Sequence, residues 1–292
     1  MDWTKAKTIL IIAFLVTNLF LVAGLVRENT REEALFVDET YLAQTLDFLE
    51  DQQLVLETEL PRNIPRLAPM TVEYIFFPAT ETADRFLGEN WELVGENTFR
   101  NQGRQLTIIN SKLLILQMLE PENPLQNMNE ETIIQASRDF LEAHQLYSEG
   151  LKLSQIYIGM VPEYHDESLH KLVYEQTYED RFVGESYVHV YLNQQGIVAV
   201  EALLLKDPSG AEQSAAPRTM IDAPEALLRK LDDIMVQGQY PLPVIVSRVE
   251  AGYYFPLTSD PLTSWEAVAS GTAVPAWKIV LKNGDTYYQE AF

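Results

Sequence analysis

Hydrophobic positions are distributed along this chain in two different ways. Residues 9–26 form one unbroken apolar run with no charged side chain. Wound as a helix, the run is about 27 Å long, close to the hydrocarbon thickness of a bilayer. Lys5 and Lys7 precede it, and Trp3 stands where an indole anchors in the headgroup layer. A secretory signal peptide carries a shorter apolar segment, about 7–15 residues, closed by a small-x-small cleavage site. Here the run is longer, its end offers only the loose Leu21-Val22-Ala23, and no cysteine follows to make a lipoprotein signal. The expectation is an uncleaved signal anchor at 9–26, with residues 1–8 as a cytoplasmic stub and 27–37 as a juxtamembrane linker. Two basic residues lie on each side (Lys5 and Lys7; Arg27 and Arg31), so the free amine decides for the N-terminus inside.

The same run has a small and polar stripe. Ala13, Thr17 and Gly24 recur at helical spacing, and Asn18 lies beside Thr17. An amide in lipid has no water to bond to and needs another helix or a backbone carbonyl. Ala13, Thr17, Asn18 and Gly24 are therefore the candidate contact surface with other membrane helices, the plain alternative being a polar residue tolerated in a simple anchor.

Beyond residue 37 the period changes to helices followed by alternating strands. Asp38 is placed to cap a helix through about Gln52, with Leu42, Leu46 and Leu49 on one face. Strands are expected at 54–60 and 70–77, and two more within 105–119, broken near Asn110-Ser111. A second helix opens at Asn129, with Glu130 and Glu131 in its first turn and Ile133, Ala136, Phe140 and Tyr147 along one side. Strands at 151–161, 171–178, 186–192 and 197–205 follow, the last two joined across Asn193-Gln194-Gln195-Gly196. The third helix has the clearest start, Asp222-Ala223-Pro224-Glu225, with Leu227, Leu231 and Ile234 as its core stripe and Gly238 at its end. Asn283-Gly284 then predicts a two-residue hairpin that sets Lys282 opposite Asp285 and Val280 opposite Tyr287. Short turns between strands imply antiparallel sheets with helices packed on one face, an extracytoplasmic domain of the α+β class behind a single N-terminal transmembrane helix. Helix starts recur about every ninety residues, which suggests a first α+β unit at 38–128 and a C-terminal region at 129–292, itself divisible into 129–221 and 222–292.

Composition sharpens this picture. The chain has 292 residues, 21 Lys+Arg against 43 Asp+Glu, and a formal charge of −22. Residues 1–26 carry +1, so the outer part carries −23. Such a surface repels phosphates, and no nucleic-acid partner is expected. A hydrophobic content of 47% with 14 tyrosines excludes a disordered acidic tail. The absence of cysteine removes disulfides, thiolate catalysis and zinc–thiolate sites.

Nothing in the chain reads as a catalytic motif: there is no G-x-G-x-x-G, P-loop, G-x-S-x-G or H-E-x-x-H. The chain is expected not to be an enzyme, and no cofactor is expected. Glu163, His165, Asp166, Glu167 and His170 offer imidazole and carboxylate to a divalent cation, but polar residues between two strands are the ordinary alternative, and no metal is assigned. His189 is expected to pack beside Tyr187 and Tyr191, and His144 to be a part-buried structural histidine on the second helix. The dense C-terminal tyrosines read as sheet core and cross-strand pairs before they read as a ligand platform.

The opening MDWTKAKTILIIAFLVTNLFLV resembles the start of the YycI (WalI) proteins of low-GC Gram-positive bacteria. The stretches VYEQTYEDRFVGESYVHVYLNQQGIVAV (173–200) and PAWKIVLKNGDTYYQEAF (275–292) extend the likeness over most of the chain. The resemblance implies a single-pass membrane protein that acts with a YycH-type protein on the sensor histidine kinase YycG (WalK), through helix contacts in the membrane and through the outer domains, in control of cell-wall metabolism. It carries over no catalytic residue. An envelope-anchored module that binds a wall, lipid or peptide ligand through its tyrosine-rich sheet is the alternative function.

Overall fold

The computed structural model describes residues 14, 17–18, 35–120, 123–161, 164–207, 215–238, 240–255 and 268–292. The chain runs β1 (Leu35–Phe36), α1 (Glu39–Asp51), β2 (Leu54–Leu56), β3 (Asn63–Ile64), β4 (Arg66–Leu67), β5 (Met70–Glu73) and α2 (Ala79–Leu87). It continues with β6 (Glu92–Gly95), β7 (Thr98–Arg100), β8 (Arg104–Ile109), β9 (Leu113–Met118), α3 (Glu130–Ala143), β10 (Leu151–Val161), β11 (His165–Tyr178), β12 (Arg181–Asn193) and β13 (Gly196–Leu203). It closes with β14 (Arg218–Thr219), α4 (Ala223–Asp232) running into a π-helical turn (Asp233–Gln237), β15 (Val244–Tyr254), β16 (Ser270–Leu281) and β17 (Thr286–Glu290).

The capping side chains start three of these helices as the sequence predicts. Asp38 accepts from the backbone N–H of Thr40 and Tyr41, Asn129 from Thr132, and Asp222 from Glu225. Each bond satisfies a donor the helix itself leaves free. Helix α2 has no such signal: Pro78 is its cap residue and offers no side-chain bond, so nothing local announces it. On α3 the buried positions are Ile133, Ser137 and Leu141, one residue round from the expected face. Ser137 is tolerated there because its hydroxyl bonds Ile134 O and the Tyr174 hydroxyl.

One body of sheet runs β6-β7-β8-β9-β13-β12-β11-β10, antiparallel throughout. Helices α2 and α3 cover one face of it, and Phe86, Leu106, Leu114, Leu141, Leu172 and Val190 make the core between them. In a second body β15 pairs antiparallel with β16, and β16 with β17, while β5 extends the start of β16 and β2 lies parallel to β15. Its core gathers Leu49 of α1, Leu227 of α4, Ile234, Val246, Ile279 and the fully buried Trp277, whose indole N–H donates to Ile221 O at 2.9 Å. Helix α1 and β2, early in the chain, thus share a core with its C-terminal hairpin. The fold is mostly sheet with a few helices, antiparallel apart from two parallel pairings, β2 with β15 and β12 with β15.

The C-terminal hairpin corrects one expectation. Val280 lies opposite Thr286, and Ile279 opposite Tyr287, so the loop holds three residues rather than two. Only Gly284 of the Asn-Gly pair takes a positive φ, +97°, as a turn closed by a bulge requires. A Cβ there would lie 2.7 Å from the Tyr157 ring, so the loop also sits tight against β10. A one-residue shift exchanges the faces of every side chain. Tyr287 therefore joins Ile279 in the core, and Tyr288 joins Lys278 on the other face.

Phe14, Thr17 and Asn18 are helical and exposed. Among the described residues no helix is long and apolar enough to cross a membrane. The remainder of 9–26, including Ala13 and Gly24, lies outside the described residues, as do Trp3, Lys5 and Lys7.

Candidate functional site

The two bodies of sheet meet at a bulge in β12. The β11–β12 ladder pairs Glu175 with Tyr187 and then Thr177 with Phe182, so Val183 to Ser186 must be accommodated opposite Gln176 alone. Gln176 pins the excess: its carbonyl accepts from the Ser186 hydroxyl and from Leu205 N–H at 2.7 Å, and its amide donates to Leu205 O at 3.0 Å. Within the bulge Val183 and Gly184 pair with Tyr253 and Tyr254 of β15, which makes the joint between the sheets. The Tyr288 ring lies 2.8 Å from where a Cβ on Gly184 would stand, so only glycine allows this approach. Glu185 follows with φ +63°, a left-handed conformation uncommon for any residue with a Cβ. Bulges re-aim side chains, and this one turns Glu185 into a cavity.

That cavity, of about 260 Å³, lies between β10–β12 and the β15–β17 hairpins. Most of the charge around it is mutually satisfied. Lys278 of β16 is fully buried, and its ammonium pairs with Glu175 of β11 at 2.6 Å and Glu250 of β15 at 2.5 Å, with the Phe182 ring 4.5 Å away. Arg248 donates to the Ser154 hydroxyl at 2.8 Å and lies 3.7 Å from Glu250. Asp285 accepts from the Tyr240 hydroxyl at 2.5 Å and from Asn283 at 2.9 Å. Two charged side chains on the wall differ: among the described residues, neither Glu185 nor Lys171 makes a hydrogen bond or ion pair. Burial raises the Glu185 carboxyl and lowers the Lys171 ammonium, in each case against the charged form. Tyr74, fully buried and with no partner for its hydroxyl, is pushed well above the ordinary phenol range by burial and then by the charge of Glu185.

Behind the wall, the Glu201 carboxylate accepts from Tyr164, from Tyr191 at 3.1 Å and from His189 Nδ1 at 3.0 Å. Tyr187 stacks on the His189 ring with centroids 4.1 Å apart. Burial pushes Glu201 upward, but the hydrogen bonds from His189 and Tyr164 outweigh it and hold the carboxyl below its ordinary range. Burial, partly opposed by the Glu201 hydrogen bond, depresses His189. The Tyr187 hydroxyl is raised to about 12 by burial, then by Glu201 and Glu185.

These shifts give a pH dependence of stability with a definite sign. The unfolded chain takes up a proton at histidine first, so the His189 contribution is complete above about pH 6.5 and is lost as the pH falls through the depressed folded value. His144, stacked on Phe140 at 4.0 Å and depressed by burial, acts in the same direction. The urea midpoint is expected to fall as the pH drops from about 6.5 toward 5. In His189→Gln the slope should be visibly shallower; an unchanged slope would remove His189 from the account.

The expected pairing of His189 with Tyr187 and Tyr191 is what the sheet shows. Tyr191 is 4% exposed and its hydroxyl is committed to Glu201, so it packs rather than forming a platform. Among the described residues no group of three or more metal-ligating side chains gathers. Glu163 and the side chains of His165, Asp166 and Glu167 lie outside what is described, and His170 stands half-buried opposite Ile158. Of the candidate stripe residues, Thr17 and Asn18 are placed on a helix. The cleft itself escaped the sequence reading. Its one local signal was Gly184 inside an otherwise alternating run, which marks a bulge or a close approach.

Fold and cleft define a class: a mostly-sheet α+β domain in which two helix-backed sheets join at a strand bulge around a charged cavity. Within that class the chain belongs to the YycI family, whose model, described as YycI protein, matches residues 38–292. It is also similar to the crystal structure of YycH from Bacillus subtilis, with a TM-score of 0.48 and 11% identity. That match covers 77% of this chain and 53% of YycH, so the chain spans about half the length of that protein. A second similar structure is the Bacillus megaterium YpeB C-terminal domain, with a TM-score of 0.34 and 14% identity, over 73% of this chain and 91% of that one. No curated protein matches the chain in sequence.

Proposed function

We propose that the chain is a membrane-anchored regulator of a sensor histidine kinase of the YycG (WalK) type, working with a YycH-type protein. The observation that carries this reading is membership of the YycI family over residues 38–292. In this reading the apolar run 9–26, with Trp3, Lys5 and Lys7 ahead of it, is the anchor, and the free amine favours the N-terminus in the cytoplasm with residues 38–292 outside. Regulation then needs a difference in contact between two kinase states. A coupling of about 1–3 kcal/mol moves an equilibrium about 5–150-fold. One asparagine contact between membrane helices gives about 0.6–2 kcal/mol, so the Thr17–Asn18 surface acts together with other helix positions or with the outer domain.

The test is reconstitution in one membrane. Full-length chain, kinase and YycH-type protein are placed in liposomes, and kinase autophosphorylation is followed with and without this chain. A several-fold change that needs this chain supports the reading. An unchanged rate, with all three proteins inserted, would discard it.

A further inference from the structure

Glu185 combines two features that cost stability and offset nothing within the fold. Its φ of +63° would suit glycine or asparagine better, and its half-buried carboxylate has no partner among the described residues. A buried charge is retained when something compensates it. On the same cavity wall the Lys171 ammonium is also without an ion pair; it lies 5.5 Å from the Tyr191 ring and feels the Glu201 carboxylate without bonding to it. The two charges do not pair with each other, so whatever satisfies both must span the space between them. The remaining charges are already engaged: Lys278 with Glu175 and Glu250, Arg248 with Ser154, Asp285 with Tyr240 and Asn283.

We infer that this cleft binds a small zwitterion, a free amino acid or a dipeptide, with its ammonium at Glu185 and its carboxylate at Lys171. A simple cation would leave Lys171 uncompensated, and a simple anion would leave Glu185 so. A metal ion would need several free carboxylates, and the neighbouring ones are engaged. A cavity of about 260 Å³ falls below the roughly 300 Å³ at which drug-sized pockets begin, which sets the size class. Tyr157, Tyr187 and Tyr288 supply ring faces for the ligand's aliphatic part and for its cationic end. The inference does not depend on the regulatory reading.

The test uses full-length chain in detergent micelles, with calorimetric titration of three probes that differ in charge spacing: alanine, γ-aminobutyrate and alanyl-alanine. At least one is expected to bind saturably. Its dissociation constant should rise tenfold or more when its amine is acetylated, when its carboxylate is amidated, in Glu185→Gln and in Lys171→Gln. Neither side chain makes a hydrogen bond or ion pair among the described residues, so both variants should fold and melt close to the parent temperature. Glu185→Asn, which suits the left-handed backbone, should likewise fold and fail to bind. The inference is overturned if none of the three probes binds, if a blocked probe binds as well as the free one, or if both variants bind like the parent.

Discussion

Replacing Lys278 by methionine lowers the stability of the folded chain by about 3 kcal/mol, and its thermal midpoint by roughly 6–12 °C. The ammonium is fully buried, and it is what allows Glu175 of one sheet and Glu250 of the other to stand within bonding distance of one point. Removing it leaves two carboxylates facing each other across an apolar stem. The side chains of Glu175 and Glu250 remain 21% and 36% exposed, so water relieves part of the penalty and the lower end of the range for broken buried pairs applies. Adding Glu175→Gln and Glu250→Gln to the methionine variant should recover most of the loss, because the fully apolar or neutral set no longer strands a charge. Thermal or urea unfolding of the single and triple variants reads both effects. A single variant within 1 kcal/mol of the parent would show that Lys278 is not the rivet between the sheets.

The second large effect follows from the proposed function, in which residues 9–26 anchor the chain beside a sensor kinase. A chain in which residues 9–26 are exchanged for an unrelated apolar anchor of equal length should still insert, yet lose its influence on kinase output. Thr17→Leu with Asn18→Leu should weaken that influence about 3- to 30-fold, the range that one interhelical amide contact allows. Reporter transcription from the kinase's response regulator, measured alongside membrane abundance of the chain, separates lost coupling from lost insertion. If the exchanged anchor regulates as well as the native run, the helix is only a tether and the outer domain carries the whole effect.

What the sequence shows of this fold follows from which interactions are local. Asp38, Asn129 and Asp222 are legible because a cap is a bond over two or three residues. The long strands β10 to β13 are legible because alternation survives over many positions, and the turn at Asn110-Ser111 because both residues take a positive φ, +52° and +55°. Helix α2 is silent because proline caps it and its burial is decided by the sheet beneath. The register of the last hairpin was missed by one residue because Asn283-Gly284 fits a two-residue and a three-residue loop equally, and contact with Tyr157, far away in sequence, decides between them.

The cleft was still less legible. Lys171, Glu185, Arg248 and Tyr288 come from four strands, and only the tertiary structure tells which carboxylates are spoken for and which one is left over. Gly184 hints at the bulge, but nothing local says that the residue after it will be an unpaired acid. The candidate residues of the membrane stripe are legible by polarity alone, since one asparagine in an apolar run is conspicuous wherever its partner lies.

The most direct measurement exploits the absence of cysteine in the native chain. Single cysteines are placed at each position of 9–26 in the full-length chain, expressed with the proposed kinase and YycH-type partners, and oxidative crosslinks to cysteines in those proteins' membrane helices are quantified. Crosslinks are expected to peak with helical periodicity on the face of Ala13, Thr17 and Gly24, with Asn18 at its edge. Equal yields all round the helix, or none above those of an unrelated anchor, would contradict it.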